Sequence, residues 1–337
     1  MKKDDLNVLG DIPLSASSAN GMSPPSSDSS SGVTPPPSAP GGKGSNNGKS
    51  DSVQNMSEAQ TVAINARYHN GLKIFKSRCT DYEVAGQFLQ DLFEQNVLGI
   101  RAAIQNKTDL RVCDVGCGDG VVTSQMMETL LRTTSASVDL ELIEPVEEYL
   151  LLTAQKLSPL LESDFTFRFA PQRAELFFSE AVPIFDLVFS SHSFYFIPLE
   201  TLLGISTSIN NNGFLVIVAM SQDSIMTALK DMFSPKPTIT ADAILTFLKT
   251  SGLASQYEVE VFHRPSVLNL NGISLGLKSE LTEETKNLLS LMIQKNIDDI
   301  SDDEYESVKA LILSKVHDGI LELDSSYLVL RKHRAGG

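Results

Sequence analysis

The chain has no tryptophan, three cysteines and five histidines among 337 residues, and its 27 lysines and arginines are outnumbered by 42 aspartates and glutamates. Each shortage excludes something. Cys79, Cys113 and Cys117 cannot all pair with one another and none belongs to a Cys-x-x-Cys, so neither a disulfide framework nor a zinc site is indicated, and the thiols read as small buried residues. A formal net charge of −15 argues against a nucleic-acid partner, because affinity for a phosphate backbone rests on Lys and Arg. A basic or neutral small molecule suits the chain better. Also missing is any apolar run long enough to span a membrane, and the basic start Met1-Lys2-Lys3 leads into no apolar signal core. The expectation is an intracellular, cytoplasmic monomer with no membrane partner.

Bulky apolar residues are nearly absent from one region. After Leu14, residues 1–57 are dominated by Ser, Pro, Gly and Asn, a composition that cannot bury enough apolar surface to offset its ordering entropy. This segment reads as a disordered tail, leaving residues 58–337 as one domain without internal repeats.

Within that domain apolar residues first recur at helical spacing, through Phe88, Leu89, Leu92, Phe93 and Val97, so residues 58–106 read as a helical cap. Strands are expected at 110–115, 138–143, 165–170, 186–189 and 214–220, with helices between them. Such alternation predicts an α/β fold with a mostly parallel sheet covered by helices on both faces. Pro145 suits the first turn of the helix after the second strand. Thr240 is a candidate N-cap, and residues 257–261 alternate like a strand with one wetter face. Residues 264–318 read as an insertion with helices at 282–296 and 302–317, the second opened by the capping box Ser301-x-x-Glu304 and stopped by Gly319. A closing strand is expected over 320–330. The cap and the insertion interrupt the regular alternation, which makes them candidates for covering a substrate.

The chemistry centres on residues 110–120. There a short apolar strand runs into Gly116, Gly118 and Gly120, and without a Cβ at these positions a ligand can approach the backbone closely. The dinucleotide fingerprint G-x-G-x-x-G needs glycine at 121, which is Val121. A second acid, Glu144, ends the next strand just before Pro145. A carboxylate there can accept two hydrogen bonds from a vicinal diol, or it can serve as a favourable charge at a helix start.

The pattern Asp114-x-Gly116-x-Gly118-x-Gly120 resembles motif I of the class I S-adenosylmethionine-dependent methyltransferases, which have a Rossmann-like fold. The resemblance implies S-adenosyl-L-methionine as cofactor, the glycines under its methionine part and Glu144 on its ribose. Asp114 would be structural or orienting. Ser190 or Ser191 would lie beside the cofactor, and Gln172, Arg173 and Glu175 are candidates for the adenine contact. The chain from Tyr68 onward is similar in pattern and order to histamine N-methyltransferase and its relatives. Thr80-Asp81, Glu144-Pro145, residues 185–196 and residues 323–330 carry that likeness. It implies a seven-stranded sheet with an antiparallel last strand and a small substrate-covering region.

From the same resemblance, Asp81 stands where an acid contacts the substrate amine, with a helix cap as its bland alternative. His192 replaces the family's glutamine after the fourth strand, and Asp324 replaces its asparagine near the last. His192 reads as a base, a substrate hydrogen-bond partner or a satisfied pocket-edge histidine. Tyr68, Tyr195 and Phe196 would form an aromatic wall, though Tyr195 and Phe196 equally suit a core. Two acids facing one pocket would favour a cationic amine and N-methylation. Protein or carboxylate methylation, and a non-catalytic cofactor-binding module, are the competing readings. A nucleic-acid methyltransferase would show an Asn/Asp-Pro-Pro-aromatic signature where this chain has Ser190-Ser191-His192-Ser193.

Overall fold

A computed structural model describes residues 58–161, 164–180 and 183–334, with side chains from Arg67 onward. The expected tail, 1–57, lies outside the described residues. In chain order the elements are α1 (Glu58–Arg78), α2 (Asp81–Glu94), α3 (Ile100–Gln105), β1 (Asp109–Val115), α4 (Val121–Thr133), β2 (Ser137–Ile143), α5 (Glu147–Leu157), β3 (Phe165–Ala170), α6 (Ala174–Phe177) and β4 (Phe185–Ser191). There follow α7 (Thr201–Thr207), β5 (Ile209–Met220), α8 (Ile225–Asp231), α9 (Ala241–Thr250), β6 (Tyr257–Asn269), α10 (Glu283–Ile293), α11 (Asp302–Leu313), β7 (Val316–His317) and β8 (Ile320–Lys332). No helix among the described residues is long and apolar enough to cross a membrane.

One open sheet runs β3-β2-β1-β4-β5-β8-β6, with the two-residue β7 pairing with β8 alone. Strands β1 to β5 are parallel, and β8 lies antiparallel between β5 and β6. This Rossmann-like order carries the antiparallel closing strand that the methyltransferase resemblance implies. Successive residues of a strand face opposite sides, so Val216, Val218, Tyr327 and Val329 join the core under α2 and α4, while Leu215, Ile217, Leu328 and Leu330 join the one under α7 and α9. Burial of both faces explains the unbroken apolar run at 214–219. A third apolar cluster, built from α1, α8, α10, α11 and the far ends of β6 and β8, includes Phe75, Leu229, Leu268, Met292, Tyr305 and Leu321.

Three boundaries differ from expectation. Strand β6 continues to Asn269 rather than stopping at 261, so the insertion begins after 269 instead of at 264. Pro265 is tolerated there because β6 is the sheet edge, where a missing N–H need not break a ladder. Gly319 does not stop a helix: α11 ends at Leu313, and Asp318 (φ 51°) with Gly319 (φ 75°) forms the two-residue turn joining β7 to β8. Pro145 precedes the helix, whose N-cap is Val146. The capping box is present, with Ser301 Oγ accepting from Glu304 N–H and the Glu304 carboxylate accepting from Ser301 N–H. Thr240 also caps α9 as expected.

Leu328 is fully buried in the strand that joins β5 to β6. Leu328→Ala should therefore cost about 2–5 kcal/mol in a urea titration, the range for a core leucine deletion; a cost near zero would contradict the placement of β8 inside the sheet.

Candidate active site

At the carboxyl ends of the parallel strands, where the order turns from β1 toward β2 on one side and β4 on the other, lies a cavity of about 820 Å³. Open α/β sheets place ligands at such a switch point. Gly116, at φ 75°, turns the chain out of β1, and a Cβ there would collide with the Ser193 side chain. Gly118, at φ 56°, has no atom within 4 Å of where its Cβ would be, so it presents bare backbone to the cavity. Beside it Glu144 Oε2 accepts from Gly118 N–H at 3.2 Å and Oε1 accepts from Val146 N–H at 3.0 Å. Burial raises the pKa of this carboxyl, and the two N–H donors restrain the rise. Asp114 accepts a 2.6 Å hydrogen bond from Thr123 Oγ1, and burial pushes its pKa up to about 7. Ser191 Oγ is buried at the cavity wall without a hydrogen-bond partner among the described residues.

The other end of the cavity is built around Asp81. The first residue of α2, it is buried, and its Oδ1 accepts from Ser266 Oγ of β6 at 3.2 Å and Ser325 Oγ of β8 at 3.1 Å. Its Oδ2 lies 2.7 Å from His192 Nε2. The two atoms are in contact, but the ring N–H is not aligned as a hydrogen bond. Burial alone would raise the Asp81 pKa; the His192 ring and the two serine hydroxyls outweigh it and hold the carboxyl below its ordinary value.

His192 has a left-handed backbone, φ 54°, and its Nδ1 is 2.7 Å from Tyr195 Oη. That hydroxyl already accepts from Met220 N–H at 2.8 Å. Its own proton then goes to Nδ1, the acceptor within reach among the described residues, leaving the proton of the neutral ring on Nε2 toward Asp81. Tyr68 and Phe196 meet edge to face at 6.3 Å across the mouth, and burial pushes Tyr68 up to about 12. Helix α1 covers this wall. His69 Nδ1 is 2.7 Å from Tyr149 Oη on α5, and Lys76 Nζ is 2.6 Å from Asp119 in the glycine turn.

Of the residues singled out in the sequence, Tyr68, Asp81, Asp114, Gly116, Gly118, Glu144, Ser191, His192, Tyr195 and Phe196 line this one cavity. Four do not. Asp324 is exposed on the outer side of β8, and its neighbour Ser325 is the residue that turns inward, because strand side chains alternate. Gln172 stands off the wall, which is formed instead by Arg173, Ala174 and Glu175. Ser190 is fully buried behind Ser191 and hydrogen-bonds Ser193. Gly120 caps α4. Sequence reasoning missed Ser266, Ser325 and Lys230. The signal for Lys230 is its position four residues after Met226 on the apolar face of α8, which makes an inward lysine.

No family model matches the chain, and no curated protein matches its sequence. Solved structures match at low identity. The N-methyltransferase NodS from Bradyrhizobium japonicum, solved with S-adenosyl-L-homocysteine, is 12% identical over 72% of this chain and 88% of that chain, with a TM-score of 0.38. The plantazolicin methyltransferase BamL, also solved with S-adenosyl-L-homocysteine, is 12% identical over 81% and 99%, with a TM-score of 0.43. A 4+2 cyclase, SpnF, is 16% identical over 73% and 80%, with a TM-score of 0.41. Likenesses of this size say nothing about activity.

The raised pKa of Asp114 has a stability consequence of definite sign. Its folded carboxyl keeps a proton that the unfolded one releases, so stability falls as pH rises from the ordinary carboxylate range to about 7. Asp114→Asn, with Thr123 still able to donate, should remove that decline and be more stable than the parent above neutrality when urea midpoints are compared across pH. An unchanged decline would place its origin elsewhere.

Proposed function

We propose that this chain is an S-adenosylmethionine-dependent methyltransferase acting on a small molecule, with an amine as acceptor. The observation that carries the reading is the continuity of one cavity from the glycine turn and Glu144 to Asp81 and His192. Its volume suits small molecules rather than a folded partner.

The residues present fit the cofactor. Bare backbone at Gly118, a carboxylate ending β2 and the unpartnered hydroxyl of Ser191 face the same space. Gly116 and Gly118 would underlie the methionine portion and Glu144 would accept from the ribose hydroxyls, releasing its present hold on Gly118 N–H. Asp114, uncharged over much of the range below pH 7, orients the turn through Thr123 rather than adding a second negative charge. When bound, S-adenosylmethionine supplies an electrophilic methyl group on a sulfonium, so this chain's residues need only position a nucleophile, free it of its proton and exclude water.

Asp81, Tyr68, Tyr195 and Phe196 support an amine acceptor. A protonated amine is favoured beside a carboxylate and over aromatic faces, yet it must lose a proton before it can attack. His192 is the base of this reading. Its Nδ1 receives the Tyr195 hydroxyl proton, so a proton leaving the acceptor can pass through that hydroxyl to the ring. Asp81 then faces an imidazolium at 2.7 Å and stabilises it. Carboxylate or protein methylation, and cofactor binding without transfer, remain the competing readings.

Calorimetry with S-adenosylmethionine should give a saturable heat, and Glu144→Ala should weaken binding at least about tenfold, as expected when a charged hydrogen-bond acceptor is removed. No heat with the parent would sink the cofactor assignment. In a methyl-transfer screen of biogenic amines, polyamines, amino acids and peptides, the best acceptor should be a small amine. On it, His192→Ala should lower kcat by about 10²–10⁴-fold with cofactor affinity retained; unchanged turnover would remove His192 from the chemistry.

A further inference from the structure

Five lysines and arginines line the cavity: Arg67, Lys76, Arg173, Lys230 and Lys295. Three are neutralised locally. Arg67 pairs with Asp298 at 2.6 Å, Lys76 with Asp119 at 2.6 Å, and Arg173 with Glu175 at 2.6 Å. The other two stand on the wall formed by α8 and the end of α10, and no carboxylate of a described residue lies within 4.0 Å of either ammonium. Lys295 sits half-buried over the Phe233 ring at 5.1 Å. Lys230 is only 5% exposed, and its Nζ lies 4.2 Å from the centre of the Tyr195 ring.

A buried ammonium with no counter-charge is costly, and an aromatic face compensates it only in part. The buried neighbours of Lys230 on α8 are the apolar Ile225, Met226 and Leu229 together with Thr227, whose hydroxyl is spent on the Ser221 carbonyl. A further apolar side chain would complete that face at no electrostatic cost. Burial pushes the Lys230 pKa down to about 7 despite the opposing pull of Asp231, so a carboxylate brought beside the ammonium would favour its charged form. On the acidic side, the second carboxylate expected from Asp324 is not in the cavity, and Asp81 already has His192 against it. The substrate end is therefore bipolar, acid and imidazole on one side and unpaired ammonium on the other, with Tyr195 between them.

We propose that the methyl acceptor carries a carboxylate as well as its nucleophile, and that Lys230 holds this carboxylate while the nucleophile meets His192 and Asp81. The inference rests on the methyltransferase reading. Tyr195 sets the span, because its hydroxyl engages His192 and its ring face engages Lys230. An acceptor bridging the two has the shape of a small amino acid or related zwitterion. One ammonium beside one aromatic face suits a singly charged carboxylate, whereas a phosphate draws several donors.

The test uses pairs that differ only in the carboxylate, histidine with histamine and phenylalanine with phenethylamine, together with β-alanine. Each is titrated into the full chain saturated with S-adenosyl-L-homocysteine and, separately, assayed for methyl transfer. The acid of at least one pair, or β-alanine, should bind, and the preference for acid over amine should be roughly 10- to 100-fold, as for one charge-assisted contact. Lys230→Met should abolish that preference and Lys230→Arg should restore part of it, both with unchanged affinity for S-adenosyl-L-homocysteine, which also reports that they fold. Equal or better binding of the amines by the parent, a preference that survives in Lys230→Met, a methyl ester as product, or binding of none of these acids would each overturn the proposal. If S-adenosyl-L-homocysteine itself fails to bind the parent, it is the methyltransferase reading that has failed.

Discussion

The carboxylate of Asp81 is the contact on which the end of the cavity away from the glycine turn depends. It is buried at the start of α2, and it draws Ser266 from β6, Ser325 from β8 and His192 from the end of β4 onto its two oxygens. An isolated carboxylate in that position would be prohibitively expensive, whereas one with two hydroxyl donors and an imidazole is sustained. The requirement runs both ways. The charge needs four segments distant in sequence to converge, and their convergence leaves one geometry rather than several. His192 accepts a left-handed backbone to meet it, a conformation costly for a residue with a Cβ and typical of functional sites.

The two ends of the cavity were unequally legible in the sequence. Asp114, Gly116, Gly118 and Glu144 fall within one strand-turn-helix-strand unit, so local spacing was enough to bring them together, and the observed register of β1 on β2 agrees. The same holds for the capping box at Ser301 and the apolar run at 214–219. The Asp81 end draws on residues 81, 192, 230, 266 and 325, and no local pattern unites them. Asp324 shows how small an error suffices. A shift of one residue along a strand exchanges the buried face for the exposed one, and Ser325 stood in the place assigned to its neighbour. Lys230 is hidden for a different reason: lysines on amphipathic helices usually lie on the wet face.

Tyr195 links His192 to Lys230. Its hydroxyl takes the Met220 N–H and faces His192, fixing which imidazole nitrogen carries the proton, while its ring lies beneath Lys230. One side chain thereby sets both the tautomer of the His192 imidazole and the seat of the unpaired cation. A phenylalanine in its place would keep the ring and lose the tautomer control. An aliphatic residue would lose both.

The position of β8 bears on how the molecule comes into being. Among the described residues strand β6 finds its long ladder partner in β8, residues 320–332, and one of the two serine hydroxyls on Asp81 comes from that strand. During synthesis the parallel strands β1 to β5 can pair before β8 exists, but the edge of the sheet cannot close, and contacts of such long sequence separation form slowly. The glycine turn and Glu144 can thus be assembled on an unfinished molecule. The pocket around Asp81 cannot, because that carboxylate lacks one of its hydroxyl donors until Ser325 has been made.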